Sequence, residues 1–181
     1  MKTILRVPAL LLFLWTCFIM PIEAEASGTE SRTAEVSDSR LKFSARTLGG
    51  EVVTSSQLAG KPYIVNFFAS WCPPCRRELP DMVLLQQKYR KQGFTFVGIA
   101  FHDNAANLQD FLWEQGIDYP VVLSDTVLAE EFRHFIPGGV RAIPVSFVVD
   151  RNGRVIRVLQ GAQSRVVFEE MIRLAISSPA M

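Results

Sequence analysis

The residues most suited to chemistry are two cysteines separated by two prolines, Cys72 and Cys75 in the segment CPPC. This spacing at a strand–helix junction is typical of a redox motif, because the sulfurs can meet with little backbone movement. Prolines suit the start of a helix, where their missing amide hydrogens would have had no partner. The unpaired amides and the helix dipole there favour a thiolate at Cys72. We therefore interpret Cys72 as the attacking sulfur and Cys75, three residues into the helix, as the more buried resolving sulfur.

A cysteine pair has two other common uses, a structural disulfide and half of a metal site. A bridge that closes so short a loop restrains the unfolded chain only slightly. A structural zinc site needs four ligands, and His102 and His134 lie far from the pair in sequence, without ligand-like spacing. Gly138 and Gly139 are not followed by the Lys-Ser/Thr of a phosphate loop. Thiol–disulfide chemistry without a metal or cofactor is therefore the preferred interpretation.

The cysteine pair lies in a chain that alternates short β-rich runs with longer helical ones, which indicates an α/β architecture. Strands are predicted over residues 63–69, 94–101, 121–123, 145–149 and 154–159, and helices over residues 73–91, 105–115, 126–135 and 165–176. Extended segments on either side of Gly49 and Gly50 predict a hairpin before the first of these strands. The helical spacing of Trp113 predicts a core position. The last helix carries apolar residues at Val166, Val167, Met171, Ile172 and Leu174.

Length, composition and charge narrow the class of protein. The chain has 181 residues, 49% of them hydrophobic and 20% charged, which fits a single globular domain with an appendage. Lys and Arg number 19 against 18 Asp and Glu, a net charge of +1. A protein that binds nucleic acid by neutralising phosphates would normally carry a basic excess. We therefore expect no nucleic-acid partner.

The amino terminus has the three-part pattern of a secretory signal. It contains Lys2 and Arg6, then the uncharged residues 7–22, then the small residues Ala24 and Ala26. An uncleaved membrane anchor is the alternative. The 16 uncharged residues would reach only about 24 Å as a helix, against a hydrocarbon core of roughly 30 Å. Cleavage is therefore favoured over an anchor.

These observations predict the domain organisation and the compartment. We expect a signal peptide or uncleaved anchor over residues 1–26, a flexible linker over 27–40 and a folded domain over 41–178. If the leader is retained, residues 7–22 form a membrane tether. Both cases place the domain in the periplasm or another extracytoplasmic space, where thiols do not stay reduced by default.

Four separate segments carry a family resemblance. They are VNFFASWCPPCRRELPDM, QGFTFVGIAF, GIDYPVVLSD and AIPVSFVVDRNGRVI, in this order. Together they resemble the exported thioredoxin-like proteins of the TlpA/ResA type, with the cytochrome c maturation thioredoxins close behind. The resemblance spans about residues 41–177. It implies a thioredoxin-like α/β fold, in which helices flank a central mixed β-sheet, with an N-terminal β-hairpin and a central αβ insertion.

The resemblance also implies roles for individual residues. Pro144 matches a cis-proline that faces the cysteines and aligns the substrate backbone, and Ile143 before it is expected to contact substrate. Trp71 matches an aromatic lid beside the first cysteine. Glu78 matches an acidic residue placed near the active site, and its spacing puts it on the helix face of the second cysteine, where a carboxylate could relay the proton of the buried thiol. The alternative is a solvated helix glutamate. Asn66 stands where cytoplasmic thioredoxins carry a buried aspartate, so the strand offers no titrating group there.

The function implied by the resemblance is that of a thiol-disulfide oxidoreductase. It would reduce cysteine pairs of exported proteins, for example in cytochrome c maturation, and would be recharged by a membrane thiol donor. The residues do not fix the direction, because about 30 mV changes the equilibrium tenfold. Two alternatives stay open. One is a peroxiredoxin-like peroxidase, although no threonine-rich loop precedes Cys72. The other is a copper- or metal-binding chaperone that uses the two cysteines, with or without His102 or His134.

Overall fold

The structure is a computed structural model and describes residues 40–179. The signal peptide or anchor predicted over residues 1–26 lies outside the described residues, as does all but the last residue of the linker predicted over 27–40. In the described part of the chain, no helix is long and apolar enough to cross a membrane. The predicted boundaries of leader, linker and domain therefore remain predictions.

Strands and helices alternate in the described chain as the sequence predicts. In chain order they are β1 (Ser44–Arg46), β2 (Val52–Thr54), β3 (Tyr63–Phe68), α1 (Pro73–Tyr89), β4 (Thr95–Ala100), α2 (Ala105–Glu114), β5 (Val121–Leu123), α3 (Thr126–Glu131), β6 (Val145–Val149), β7 (Val155–Gln160) and α4 (Arg165–Ser177). The helix predicted over 126–135 is shorter than expected, because its last part is the 3-10 turn Arg133–Phe135. Pro137 follows, and a proline disfavours helical backbone in the residue before it, so Ile136 is extended.

The strands after the hairpin form one mixed sheet in the order β5-β4-β3-β6-β7. β3 runs parallel to β4, and β4 parallel to β5, whereas β6 is antiparallel to both β3 and β7. β1 and β2 form a separate two-stranded antiparallel sheet, the predicted hairpin. Phe67 near the end of β3 pairs with Val145 at the start of β6. The segments after β3 and before β6 therefore meet at one edge of the sheet.

The core has a layer on each face of the sheet, and β3 contributes to both. Successive strand residues point to opposite faces, so Phe67 and Phe68 enter different hydrophobic clusters. The Phe67 ring centroid lies 4.9 Å from that of Phe132, which lies 4.9 Å from that of Phe147. Burial of each such ring stabilises the fold by about 2–3 kcal/mol. The end of β3, where the cysteine motif begins, is thus fixed from both sides.

The core position predicted for Trp113 from helical spacing is wrong, and one apolar residue of the last helix is also exposed. Trp113 is 88% exposed, because α2 turns Phe111 inward and a residue two positions later points to the opposite side. Val166 is 74% exposed, because the buried stripe of α4 passes through Phe168 and Ile172 instead. In both helices the spacing of apolar residues is compatible with more than one buried face, and packing against the neighbouring layer determines which face is buried.

A polar cluster joins the carboxyl-terminal part of α1 to α4. Oε1 of Glu169 accepts hydrogen bonds from Lys88 Nζ at 2.5 Å, from the Tyr89 hydroxyl at 2.7 Å and from Arg173 Nη2 at 2.9 Å. The hydrogen bonds from Lys88 and then Tyr89 are the main reasons that the pKa of Glu169 falls from 4.5 to about 2. The carboxylate is therefore favoured in the folded chain.

We expect Glu169→Gln to lower stability at pH 7 and to have little effect near pH 2. A carboxyl with a lowered folded-state pKa stabilises the fold above its unfolded pKa, and this contribution disappears as the pH falls through the folded value. Urea unfolding midpoints of the two proteins, measured from pH 7 down to pH 2.5, should therefore converge below about pH 4.5. Glu170→Gln, on the exposed side of the same helix, is the control. A gap between wild type and Glu169→Gln that stays constant with pH would contradict this prediction.

Candidate active site

The cysteine pair occupies the first turn of α1. Cys72 is the N-cap, with extended backbone, and Pro73 and Pro74 follow at the first helical positions. The Cα atoms of Cys72 and Cys75 are 5.3 Å apart and the two sulfurs are bonded as a disulfide. Cys72 is 4% exposed and Cys75 is fully buried. The structure thus brings the pair together at a helix amino terminus, with Cys75 the deeper sulfur.

An arginine stands beside the cysteines in this first part of α1. Arg76 Nη1 donates to the main-chain oxygen of Ser70 at 2.9 Å, and its guanidinium carbon lies 4.8 Å above the centre of the Phe111 ring. These contacts hold the cation beside the turn that carries Cys72. The structure records no acidic residue in the first turn of α1. A fixed positive charge near a helix amino terminus favours the thiolate form of a cysteine.

The loop before the motif is tied to the loop after β4. Asp103 accepts hydrogen bonds from Ser70 N at 2.6 Å and from Ser70 Oγ at 2.9 Å. Trp71 is 59% exposed, and its Nε1 donates to the main-chain oxygen of His102 at 3.1 Å. Sequence reasoning missed Ser70 and Asp103. The available signal was their position, since each follows the carboxyl end of one of two adjacent parallel strands.

The segment before β6 forms the other side of the site. The Ile143–Pro144 peptide bond is cis, and the oxygen of Pro144 accepts a hydrogen bond from Gly161 N at 2.9 Å. Because Val145 pairs with Phe67, Pro144 lies at the sheet edge where β3 ends. Ile143 is half-buried and packs against both hydrophobic clusters.

Glu78 is a buried residue rather than a solvated helix glutamate. It is 2% exposed, three residues beyond Cys75 on the same side of α1. Its Oε1 accepts from Asn66 Nδ2 at 3.0 Å and its Oε2 from Gln163 N at 3.0 Å. Burial raises the pKa of Glu78 to about 7, and the hydrogen bonds from Gln163 and Asn66 partly oppose this rise. A carboxyl that titrates near neutral pH therefore lies one helical turn from the deeper sulfur.

A serine on the neighbouring strand completes this polar group. Asn66 Nδ2 also donates to Ser146 Oγ at 2.9 Å, and the two residues are cross-strand partners on β3 and β6. Sequence reasoning noted Asn66 only as a residue that cannot titrate and missed Ser146. A polar residue in an otherwise apolar run of strand residues was the signal that pointed to it.

The histidines contribute no ligand set to the cysteine pair in the part of the chain that the structure describes. Among residues 40–179, no three or more His, Cys, Asp or Glu side chains are grouped so that they could hold a metal ion. His102 instead takes part through its main-chain oxygen, which positions Trp71.

Comparison with known proteins decides the family. A family model described as Redoxin matches residues 35–171. The chain belongs to the Redoxin family. A solved structure from Chlorobium tepidum, a thiol:disulfide interchange protein of the thioredoxin family, is 42% identical with a TM-score of 0.75, over 80% of this chain and 100% of that one. The thiol-disulfide oxidoreductases ResA of Geobacillus thermodenitrificans and Halalkalibacterium halodurans are 29% and 26% identical, over 76% and 78% of this chain and 76% and 77% of theirs.

These findings confirm three predictions made from the sequence. This Redoxin family member is of the TlpA/ResA type within the thioredoxin superfamily. Its fold is the thioredoxin-like α/β fold, with a mixed five-stranded sheet and a separate hairpin. Its enzyme class is that of a thiol-disulfide oxidoreductase.

The burial of Glu78 predicts a pH-dependent stability of the opposite sign to that of Glu169. A raised folded-state pKa means that the folded chain holds a proton which the unfolded chain releases, so stability falls as the pH rises from about 4.5 to 7. The loss should be about 3 kcal/mol in the free energy of unfolding. Guanidinium unfolding of the oxidised protein at pH 4.5 and pH 8 should show it, and Glu78→Gln should remove most of it. Glu114→Gln, an exposed substitution, is the control and should keep the loss. The same loss in Glu78→Gln would contradict the assignment.

Proposed function

We propose that this Redoxin family member uses Cys72 and Cys75 as a dithiol that reduces disulfides of exported proteins. The observation that carries the proposal is the cysteine pair itself, joined at the amino terminus of α1 with the deeper sulfur beside a buried carboxyl. The secretory pattern of the leader supports an extracytoplasmic location, in the periplasm or an equivalent space. Cytochrome c precursors that carry a cysteine pair are one example of such a substrate, beside a copper-site protein and scrambled disulfides in general.

The reaction transfers two electrons in two exchange steps. The Cys72 thiolate attacks one sulfur of the substrate disulfide, forms a mixed disulfide and releases the other substrate sulfur as a thiolate, which takes up a proton. The Cys75 thiol then loses its proton and attacks the Cys72 sulfur. This second step releases the remaining substrate thiolate and leaves the Cys72–Cys75 disulfide. The second substrate thiolate also takes up a proton from solvent. The substrate thus gains the two electrons that the protein dithiol loses. Cys75 gives up one proton in these steps, and the proton of the Cys72 thiol leaves earlier, when the thiolate forms.

Glu78 is the proposed acceptor of the Cys75 proton. Cys75 is fully buried, so water has little access to its thiol. A nearby carboxylate with a pKa of about 7 is ionised in a large fraction of molecules at neutral pH and still binds a proton readily. The same carboxyl returns the proton when the disulfide is reduced again.

Three residues are proposed to contact the substrate. Pro144 and Ile143 precede β6 at the sheet edge where the cysteine motif begins, and an extended substrate strand there would run beside Cys72. Trp71, the residue before Cys72, is more than half exposed, while its Nε1 is already bonded within the protein. These groups would orient the substrate disulfide for in-line attack.

The oxidised protein must be recharged for a second turnover. The proposed electron source is a membrane protein that presents its own dithiol, since the compartment itself is oxidising. Exchange with that donor runs through the same two steps in reverse. If residues 7–22 are retained as a tether, the domain stays close to the donor.

We expect the reduction potential of the Cys72–Cys75 couple to be strongly reducing, nearer to about −270 mV than to about −120 mV. Equilibration of the domain with thiol/disulfide buffers, followed by mass-tagging of free thiols, measures it. A strongly oxidising potential would reverse the electron flow and make the protein a disulfide donor.

We expect Cys75→Ser to trap a covalent complex. A peptide closed by a single disulfide should remain attached to Cys72 of this variant, because no second sulfur is present to release it. Cys72→Ser, the matched variant, should form no adduct, and turnover in both should fall to the non-enzymatic background. Mass spectrometry of the intact protein distinguishes the two. Adduct formation through Cys75 alone would overturn the assignment of the attacking sulfur.

A further inference from the structure

We propose that Asn66, held in place by Ser146, is a positioning residue that keeps the carboxylate of Glu78 available to accept the Cys75 proton. The inference rests on the function proposed above for Glu78. It assigns a role to a side chain that does not titrate and does not reach the cysteines' substrate.

The hydrogen bonds of Asn66 show what its side chain provides. Both contacts of Nδ2, to Glu78 at 3.0 Å and to Ser146 at 2.9 Å, are fully buried. Its Oδ1 is also buried and has no hydrogen-bond partner within residues 40–179. An unsatisfied buried carbonyl destabilises the fold, and an apolar side chain would avoid that loss. The two hydrogen bonds that the amide donates are therefore what this side chain provides and an apolar side chain could not.

Chemistry fixes the orientation of the amide. An ionised carboxylate only accepts hydrogen bonds, so Nδ2 and not Oδ1 faces Glu78 in the state that accepts the proton. The Ser146 hydroxyl accepts the second N–H from the adjacent strand and so opposes rotation of the amide. Ser146 therefore acts on Glu78 through Asn66.

The donors on Glu78 act against its burial. Burial favours the neutral acid, whereas the hydrogen bonds from Gln163 N and Asn66 Nδ2 both favour the carboxylate. The Gln163 donor belongs to the main chain just before α4 and survives side-chain substitution. Asn66 is thus the side chain through which the proton affinity of Glu78 can be changed without touching Glu78.

The surrounding titratable groups come from the elements packed on α1. Cys75 lies one turn away on α1 itself, and Tyr119, in the segment before β5, has its pKa raised by its own burial and by the charge of Glu78. On α4, Glu169 and Arg173 are engaged with the far end of α1. Asn66 and Ser146, from β3 and β6, are neutral. Removal of the Asn66 donor should therefore act chiefly on the protonation of Glu78.

The test separates the two exchange steps by rapid mixing of the reduced protein with the aromatic disulfide 5,5′-dithiobis(2-nitrobenzoate). Attack by Cys72 releases the first coloured thiolate, and attack by Cys75 on the mixed disulfide releases the second. We expect Asn66→Leu to move the pH midpoint of the second phase upward by about one to two units, the effect of losing one hydrogen bond to a charged group. The first phase should keep its pH dependence. Ser146→Ala should move the second midpoint in the same direction, by about half a unit.

Three further variants make the outcome decisive. Glu78→Gln should abolish the second-phase midpoint, and Asn66→Leu added to Glu78→Gln should change nothing further. Asn107→Leu on the exposed side of α2 controls for the substitution itself. A wild-type midpoint in Glu78→Gln would refute the proposed role of Glu78. A midpoint lost in Glu78→Gln but unchanged in Asn66→Leu would refute only the role of Asn66. If Asn66→Leu does not fold, a wild-type midpoint in Ser146→Ala would refute the role of Asn66 instead.

Discussion

The burial of β3 on both faces of the sheet is the constraint on which the redox site depends. Every residue of this strand is buried, and it pairs with a parallel strand on one side and an antiparallel strand on the other. Such a strand cannot shift its register without moving apolar side chains to the wrong layer. The turn that follows β3, with Cys72 at the start of α1, is therefore also held in a fixed position. The antiparallel pairing with β6 then brings Pro144 to the same edge.

The same constraint explains why a polar group can exist inside this core. Asn66 occupies the middle of β3, so its side chain reaches Ser146 on one strand and Glu78 on the helix above. Burial alone would keep Glu78 neutral, and hydrogen bonds alone would keep it ionised. Burial is the larger effect and the hydrogen bonds offset only part of it, which leaves the pKa at about 7, above the ordinary value of 4.5. A rigid strand is needed for this balance, because a strand donor that could move away would leave the hydrogen bond from Gln163 N to oppose the desolvation without it.

Much of the fold followed from the sequence, and the reasons differ between elements. β3 and β6 were predicted well because a buried strand has a continuous apolar run that ends sharply at turn residues. The helix that carries the cysteines was marked by its prolines. Trp113 was misplaced because helical spacing shows that an apolar face exists but not which residues the neighbouring layer covers.

The candidate site was predictable in its sulfurs and less so in its supporting residues. The spacing of Cys72 and Cys75 is a local pattern. Ser146, by contrast, bonds to Asn66 across 80 residues of chain and Gln163 bonds to Glu78 across 85, and only the sheet topology brings these partners together. The tie between Ser70 and Asp103 is of the same kind, since it joins two loops that are adjacent only because β3 and β4 are parallel neighbours. A local motif can be recognised in a sequence, whereas the residues that hydrogen-bond to its supporting side chains become visible only when the pairing of the strands is known.

The position of the carboxyl on α1 rather than on β3 has a consequence for the exchange reaction. Glu78 and Cys75 share one helix, so their separation is set by helical geometry and not by how the helix packs on the sheet. The strand contributes a neutral donor in place of an acid, and a second donor comes from the main chain before α4. In the proposed mechanism, proton acceptance and the tuning of proton affinity therefore belong to different elements. A substitution on β3 would then change the pH at which the deeper sulfur reacts, while the distance between sulfur and carboxyl remains a property of α1.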